Sequence, residues 1–181
     1  MKLKLLFITI LLMVSCAKEK KTATIQEVSG QEVLQNDKNS DDFQLEVYDF
    51  SGLEPFLNKK DDKIYVVNFW ATWCAPCVKE LPYFEKLNSE YKNQNVEVVL
   101  VSLDFPHLYE KKLKPFIKEN NLASKVIALD DANMNTWIPM VDENWSGSIP
   151  ATVIYKNDER RFFEQSFNYE ELEKELKQFI K

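Results

Sequence analysis

The first part of the folded region contains runs with the periods of strands and of a helix. Residues 43–50 alternate apolar and polar side chains, which predicts a half-buried strand. Residues 63–71 and 95–104 are continuous apolar runs rich in β-branched residues, which predicts strands buried on both faces of a sheet. Between them, apolar residues recur at helical spacing over residues 75–91, so we expect a helix there, kinked at Pro82.

The second part continues this alternation and then ends in a hairpin. Residues 108–122 have an amphipathic pattern that predicts one helix with Pro115 inside it, and residues 125–129 predict a short extended segment. Two strand-like runs within residues 151–167 surround an Asn-Asp-Glu turn that lacks the usual glycine. A last helix is expected after Asn168, which is a suitable cap. This order predicts an α/β fold with a mixed central sheet flanked by helices.

The N-terminal residues have the features of an export signal. A basic start precedes ten apolar residues, 5–14, a run too short to span a bilayer comfortably. The tetrapeptide Met-Val-Ser-Cys ending at Cys16 resembles the lipobox of bacterial lipoproteins, in which the signal is cut before a cysteine that then carries lipid. We therefore expect residues 1–15 to be a lipoprotein signal peptide and Cys16 to be lipidated. An ordinary signal peptide with an incidental cysteine is the alternative.

Composition separates a tether from the folded domain. Residues 16–42 are polar and nearly free of aromatic residues, which predicts a flexible, lipid-anchored tether, and a short helix at residues 25–34 would have little to bury. Residues 43–181 are the predicted domain. The formal net charge is -6 and no basic stripe is present, which argues against nucleic acid binding. The chain has only three glycines, too few for a glycine-rich phosphate loop.

Two cysteines, Cys74 and Cys77, lie between a predicted buried strand and the predicted helix. A structural zinc site needs about four ligands, and the chain has a single histidine and no second cysteine pair, so we predict no metal. A purely structural disulfide is also disfavoured, because so small a loop removes little entropy from the unfolded chain. These exclusions leave a reactive dithiol.

The position of Cys74 favours a nucleophilic thiolate. At the start of a helix, the unpaired backbone N–H groups and the helix dipole favour an anion, and the thiolate is the nucleophile in disulfide exchange. Pro76 is preset for a first helical turn. Cys77 lies one turn further in and should be more buried. We therefore expect Cys74 to attack a disulfide and Cys77 to resolve the mixed disulfide.

The stretch NFWATWCAPCVKELP, Asn68 to Pro82, resembles the motif of the TlpA/ResA-like branch of the thioredoxin superfamily. The resemblance follows residues 43–181 in element order and implies a thioredoxin fold with an N-terminal strand extension. It also implies a thiol–disulfide oxidoreductase that acts on protein disulfides without a cofactor. Proteins of this branch are exported and membrane-tethered.

Further positions match that family. The segment Gly147 to Thr152 resembles the family loop that ends in a cis-proline; Pro150 would then face the dithiol, and the Ile149 backbone would pair with an incoming peptide. Glu80 matches the acid implicated in proton movement, although a solvated helix glutamate is the alternative. Asn68 stands where ordinary thioredoxins have a buried aspartate.

Aromatic residues surround the motif. We expect Trp73 to be a shield and docking surface, and Trp70 to be in the core. Residues 130–148 depart from the family pattern and carry two tryptophans and two methionines, which suit either a substrate-recognition surface or a small satellite core. His107 is expected to be an ordinary surface residue.

Together these features predict a reductase in the cell envelope, attached to the membrane by lipid and facing the periplasm. Its predicted partners are protein disulfide substrates, with clients in cytochrome c maturation as one candidate group, and a membrane electron donor; we expect a monomer. An oxidant or isomerase of the same fold, a peroxidase, and a non-catalytic binding lipoprotein remain alternatives.

Overall fold

The computed structural model describes residues 44–180. The predicted signal peptide 1–15, the lipidation site Cys16, the tether 16–42 and the short helix at 25–34 lie outside the described residues. Within the described part of the chain, no helix is both long and apolar enough to cross a membrane.

In the described part of the chain, six strands form one mixed sheet in the order β1-β4-β3-β2-β5-β6. The four strands β1, β4, β3 and β2 are parallel to their neighbours, and the hairpin β5–β6 joins β2 in antiparallel orientation. This arrangement confirms the predicted mixed sheet and places the N-terminal strand at one edge. The strands are β1 (Glu46–Tyr48), β2 (Ile64–Trp70), β3 (Val96–Ser102), β4 (Lys125–Leu129), β5 (Ala151–Lys156) and β6 (Glu159–Phe163).

Between residues 44 and 180, five α-helices cover the two faces of the sheet. The long helix α2 has the predicted extent and continues through Pro82, which is exposed. The last helix begins with the predicted cap, since the Asn168 side chain accepts a hydrogen bond from the Glu171 N–H at 3.0 Å. The helices are α1 (Phe50–Leu53), α2 (Ala75–Tyr91), α3 (Lys114–Glu119), α4 (Met134–Val141) and α5 (Tyr169–Leu176).

The core lies on both sides of the central strand β2, every residue of which is buried. Because side chains alternate along a strand, Ile64, Val66 and Trp70 face the cluster that includes residues of α2 and α5. Tyr65, Val67 and Phe69 face the other cluster, with α1 and α4. The continuous apolar run therefore predicted a strand buried on both faces correctly.

The prediction of one regular helix over residues 108–122 is wrong, because three kinds of helical turn follow one another there. A 3₁₀ turn, Pro106–Leu108, is followed by one turn of π-helix, Tyr109–Leu113, and only then by α3. Pro115 marks the interruption: it has no N–H to donate to the preceding turn, and it lies in the first turn of α3, where that donor is not needed. The Lys114 N–H instead bonds to the Tyr109 carbonyl, five residues back.

The predicted outer strands are shorter than their patterns. The first strand ends at Tyr48 because the Asp49 side chain accepts a hydrogen bond from the Gly52 N–H at 2.9 Å and so caps α1. The hairpin turn needs no glycine, since Asn157 adopts the left-handed conformation with φ 55°. Its second strand ends at Phe163, four residues before the predicted end.

Candidate active site

Cys74 and Cys77 form a disulfide at the start of α2. The chain leaves β2 in a tight turn, closed by a hydrogen bond of 3.1 Å from the Cys74 N–H to the Ala71 carbonyl. Cys74 is the N-cap of α2, and its sulfur accepts a hydrogen bond of 3.3 Å from the Cys77 N–H. A backbone N–H of the first helical turn, which has no partner within the helix, therefore points at the sulfur. The position of the pair in the sequence predicted this.

The two cysteines differ in access. Cys74 is 5% exposed and Cys77 is 0% exposed, so a group that approaches from solvent reaches only Cys74. Cys74 is nevertheless more enclosed than the sequence suggested. Its Sγ lies 3.7 Å from the carbonyl oxygen of Ile149, and the Ile149–Pro150 peptide bond is cis. The structure thus brings the predicted Ile149–Pro150 segment against the reactive pair.

Glu80 is buried, with 1% exposure. The alternative of a solvated helix glutamate is therefore wrong. Its Oε2 accepts a hydrogen bond of 2.7 Å from the Phe167 N–H, and its Oε1 accepts one of 3.0 Å from Asn68 Nδ2. Glu80 lies three residues after Cys77, so the two side chains are neighbours on the buried side of α2.

Burial raises the pKa of Glu80 to about 7, and the hydrogen bonds from the Phe167 N–H and Asn68 oppose this shift. No cation forms a salt bridge with this carboxylate among the described residues. The carboxyl therefore changes its protonation state near neutral pH, which is the range in which a group can both accept and donate a proton.

Asn68 links Glu80 to the strand that follows the cis-proline. Its Nδ2 also donates to Thr152 Oγ1 at 3.1 Å, which the antiparallel register of β2 and β5 places directly opposite Asn68. Its Oδ1 has no hydrogen-bond partner among the described residues. Asn68, Thr152 and Glu80 are thus one buried polar cluster behind the cysteine pair.

Asp104 is a site residue that the sequence analysis missed. It follows β3 and accepts hydrogen bonds from the Thr72 N–H at 2.9 Å, Thr72 Oγ1 at 2.5 Å and Ser102 Oγ at 2.9 Å. This buried carboxylate clamps the turn that carries Trp73 and Cys74. The available signal was an acid directly after a buried parallel strand, at the edge where β2 also ends.

The tryptophans of the motif have the expected places. Trp70 is fully buried and packs against Phe116. Trp73 is 54% exposed and stacks on Phe105, which in turn stacks on the exposed ring of His107.

Residues 130–148 contribute both a small core and an exposed surface. Trp137 and Trp145 are buried and contact each other, with ring centroids 5.6 Å apart, and Trp145 also packs on Phe69. Met134 and Met140 are exposed. The predicted small core is therefore present, and substrate recognition by the exposed part of this segment stays a prediction.

Within residues 44–180, no group of three or more histidine, cysteine, aspartate or glutamate side chains is placed to hold a metal ion.

Comparison with known proteins agrees with this site. Residues 37–160 match the AhpC/TSA family. The chain belongs to that family. It is 32% identical over 121 residues to a thiol-disulfide oxidoreductase ResA of Bacillus cereus, covering 67% of each chain. Against ResA of Bacillus thuringiensis subsp. konkukian it is 28% identical, covering 99% of this chain and 96% of the relative.

The fold of this chain is also similar to that of a solved structure. The thioredoxin-related protein from Neisseria meningitidis serogroup B superimposes with a TM-score of 0.57 and 26% identity, covering 66% of this chain and 86% of that one. With the ResA relatives, this likeness identifies the chain as a thiol–disulfide oxidoreductase of the ResA type with a thioredoxin fold.

Proposed function

We propose that this protein is an exported, lipid-anchored reductase of protein disulfides. The observation that carries the proposal is the disulfide at the start of α2, with the carbonyl of the cis Ile149–Pro150 segment 3.7 Å from the Cys74 sulfur and Glu80 buried on the same helix. In this proposal Cys74 and Cys77 are the redox-active pair, Glu80 is the proton carrier, and Trp73, Ile149 and Pro150 bind the substrate.

The first step uses the thiolate of Cys74 in the reduced enzyme. The Cys77 N–H and the start of α2 stabilise this anion. It attacks one sulfur of the substrate disulfide, whose S–S bond breaks. A mixed disulfide between Cys74 and the substrate forms, and the second substrate sulfur leaves as a thiolate that takes up a proton.

The second step uses Cys77 and Glu80. The Cys77 thiol gives its proton to the Glu80 carboxylate and attacks the sulfur of Cys74. The enzyme disulfide forms, and the first substrate sulfur leaves as a thiolate. The two substrate thiolates take their protons from solvent, and Glu80 returns the proton of Cys77 to solvent before the next cycle. The substrate has then gained two electrons and two protons. Because the pKa of Glu80 is about 7, its carboxylate is available to take this proton near neutral pH.

Reduction is the proposed direction because an exported protein works where thiols are oxidised. A membrane electron donor must then return two electrons to Cys74 and Cys77 in each cycle. Cytochrome c maturation is one process that would need such a reductase, and it enters this proposal through the family resemblance alone.

Reduction of insulin disulfides, driven by dithiothreitol, tests the enzymatic part. The wild-type protein should accelerate precipitation of the insulin chains, and Cys74→Ser should not. Equal activity of the two proteins would instead favour the non-catalytic binding lipoprotein. Alkylation of thiols in intact cells tests the direction: a mainly reduced pair supports a reductase, and a mainly oxidised pair supports an oxidant.

The anchor is tested separately. Labelled palmitate should enter the wild-type protein and leave Cys16→Ser unlabelled, and the variant should leave the membrane fraction. Label on both proteins, or on neither, would contradict lipidation at Cys16. This result does not depend on the redox chemistry, because Cys16 is outside the folded domain that we predict.

A further inference from the structure

A groove of about 560 Å³ opens beside the cysteine pair. Trp73 and Ile149 are among its lining residues. Trp73 precedes Cys74 in the chain, and the Ile149 carbonyl lies 3.7 Å from the Cys74 sulfur, so one end of the groove adjoins the reactive sulfur. The groove is therefore continuous with the proposed substrate site.

Much of the lining of this groove consists of exposed apolar side chains. Of the five large hydrophobic side chains that are exposed in the described part of the chain, three line the groove: Trp73, Phe105 and Met134. Exposed apolar groups that gather in one place mark a binding surface, and tryptophan and methionine are suited to contact a protein partner. The side chain that fits there is large and apolar.

The charged lining residues are all acidic. Three aspartates, Asp104, Asp130 and Asp131, line the groove, and no lysine, arginine or histidine is among its described lining residues. Asp104 is engaged by Thr72 and Ser102, and Asp131 accepts hydrogen bonds from the N–H groups of Phe50 and Asn133.

Asp130 differs from its two neighbours. It is exposed, and its carboxylate makes no hydrogen bond or salt bridge to another described residue. A cation of the substrate can therefore pair with Asp130 without breaking an existing contact. The charge of the groove thus selects a basic partner.

We propose that the groove selects protein substrates that carry a large apolar side chain two positions from the cysteine and, on the same side of the cysteine, a lysine or arginine four positions from it. This inference rests on the proposed function, because it assumes that Cys74 attacks a substrate disulfide. In an extended segment, side chains two positions apart point to the same face. When the substrate cysteine faces Cys74, the apolar side chain two positions away consequently enters the groove, and the side chain four positions away points toward its acidic lining.

Short peptides with a single cysteine, each joined to 5-thio-2-nitrobenzoate as a mixed disulfide, test this inference. The reference peptide is Lys-Ala-Phe-Ala-Cys-Ala-Phe-Ala-Lys, which is symmetric so that chain direction does not matter. One comparison peptide has serine in place of both phenylalanines, and another has glutamate in place of both lysines. The reduced full-length protein in detergent is mixed with each peptide, and the release of the coloured thiol gives the rate.

We expect the reference peptide to react about tenfold faster than either comparison peptide at low salt, the order expected when one good interface contact is lost. The preference for lysine over glutamate should shrink as salt is added, because exposed charges are screened. Equal rates for all three peptides would overturn the inference and leave the proposed function intact. No reaction with any peptide would instead contradict the proposed function itself.

Matched variants localise the effect. Met134 and Met140 are both exposed on α4, but only Met134 lines the groove. Met134→Ser should lower the preference for phenylalanine severalfold, and Met140→Ser should keep it. Asp130→Asn should remove the preference for lysine, whereas substitution of another exposed acid, Asp62→Asn, should keep it.

Two results would assign the preference elsewhere. If Met140→Ser changed the preference as much as Met134→Ser, the groove would not be the binding surface. If Asp130→Asn kept the full preference for lysine, Asp130 would not be its source. Reaction of each variant with hydroxyethyl disulfide, which carries neither a large apolar group nor a charge, verifies that its cysteine pair is intact.

Discussion

Asn68 donates a hydrogen bond of 3.0 Å to the carboxylate of Glu80, and the oxygen of the Asn68 amide has no partner among the described residues. Rotation of that amide would turn its free oxygen toward Glu80. A protonated Glu80 could then donate to Asn68, while the hydroxyl of Thr152 serves as donor or acceptor. The cluster can therefore satisfy Glu80 in both protonation states, which suits a group that carries a proton.

Glu80 should make the stability of the folded protein depend on pH. Its pKa is raised from 4.5 to about 7 in the folded state, so the fold favours the protonated form. The stabilisation is complete below the unfolded pKa and is lost as the pH rises through the folded value. Between about pH 4 and about pH 8, the free energy of unfolding of the wild-type protein should fall by about 3 kcal/mol relative to Glu80→Gln.

Urea unfolding of the oxidised proteins at several pH values measures this difference. Carboxylates whose pKa is lowered, such as Glu46 and Glu173, act in the opposite direction, but they are present in both proteins and cancel in the comparison. Parallel pH profiles for wild type and Glu80→Gln would show that Glu80 titrates like an ordinary carboxyl.

Glu80→Gln should also slow disulfide reduction by about 10- to 100-fold, because proton transfer by a positioned side chain contributes at least that much. The plot of the reduction rate against pH should lose the inflection near pH 7 that the titration of Glu80 causes. Glu85→Gln is the matched control: Glu85 is on the same helix and also accepts backbone N–H bonds, from Ala123 and Ser124, but it is only partly buried. A similar slowing by both substitutions would point to damage to α2 instead of loss of a proton carrier.

Asp104→Ala should disturb the turn that carries Trp73 and Cys74. The substitution leaves the Thr72 N–H and two hydroxyl groups without their acceptor, which costs about 1–3 kcal/mol for a buried group. We expect lower stability and slower reaction of Cys74 with a peptide disulfide. Asp104→Asn keeps one acceptor oxygen and should recover part of both losses. An Asp104→Ala protein with the wild-type reaction rate would show that the clamp does not position Cys74.

Trp73 and Trp145 should respond to substitution in opposite ways. Trp145→Ala removes a buried ring that packs on Phe69 and donates to the Ser148 carbonyl at 2.8 Å, so unfolding should be easier by about 3–5 kcal/mol. Trp73→Ala removes an exposed ring, so stability should change by less than about 0.5 kcal/mol while protein disulfides react more slowly. Thermal unfolding and insulin reduction, measured on both variants, separate the two effects. A stable Trp145→Ala, or a fully active Trp73→Ala, would contradict this division.

The central part of the fold was predictable because its patterns are strong and continuous. The run Ile64–Trp70 could only be a strand buried on both faces, and the spacing of apolar residues gave both ends of α2. Patterns were insufficient where a single hydrogen-bonding group decides the outcome. Pro115, which lacks an N–H, marks the interruption of the predicted helix, and Asp49 ends the first strand because its side chain caps α1.

The candidate site was predictable only where its residues are close in sequence or follow a family motif. The cysteine pair, Glu80 and the cis-proline were found in that way. Asp104 was not found, because its role depends on β2 and β3 ending side by side although they are far apart in the chain. The groove was anticipated only in part. Trp73 and residues 130–148 were expected as contact surfaces, but Phe105 and Asp104 were not, because they join them only through the packing of β2, β3 and β4 side by side.

Cys77→Ser should trap the substrate on Cys74. Without the second sulfur, the mixed disulfide formed by Cys74 cannot be resolved, and Cys77 is fully buried, so no external thiol easily takes its place. Proteins attached to Cys74 should appear as heavier bands on a non-reducing gel and disappear with dithiothreitol. The double variant Cys74→Ser, Cys77→Ser is the control and should give no such bands. Equal bands from the double variant would mean that another cysteine, such as Cys16, captures these proteins, and the assignment of Cys74 as the nucleophile would be wrong.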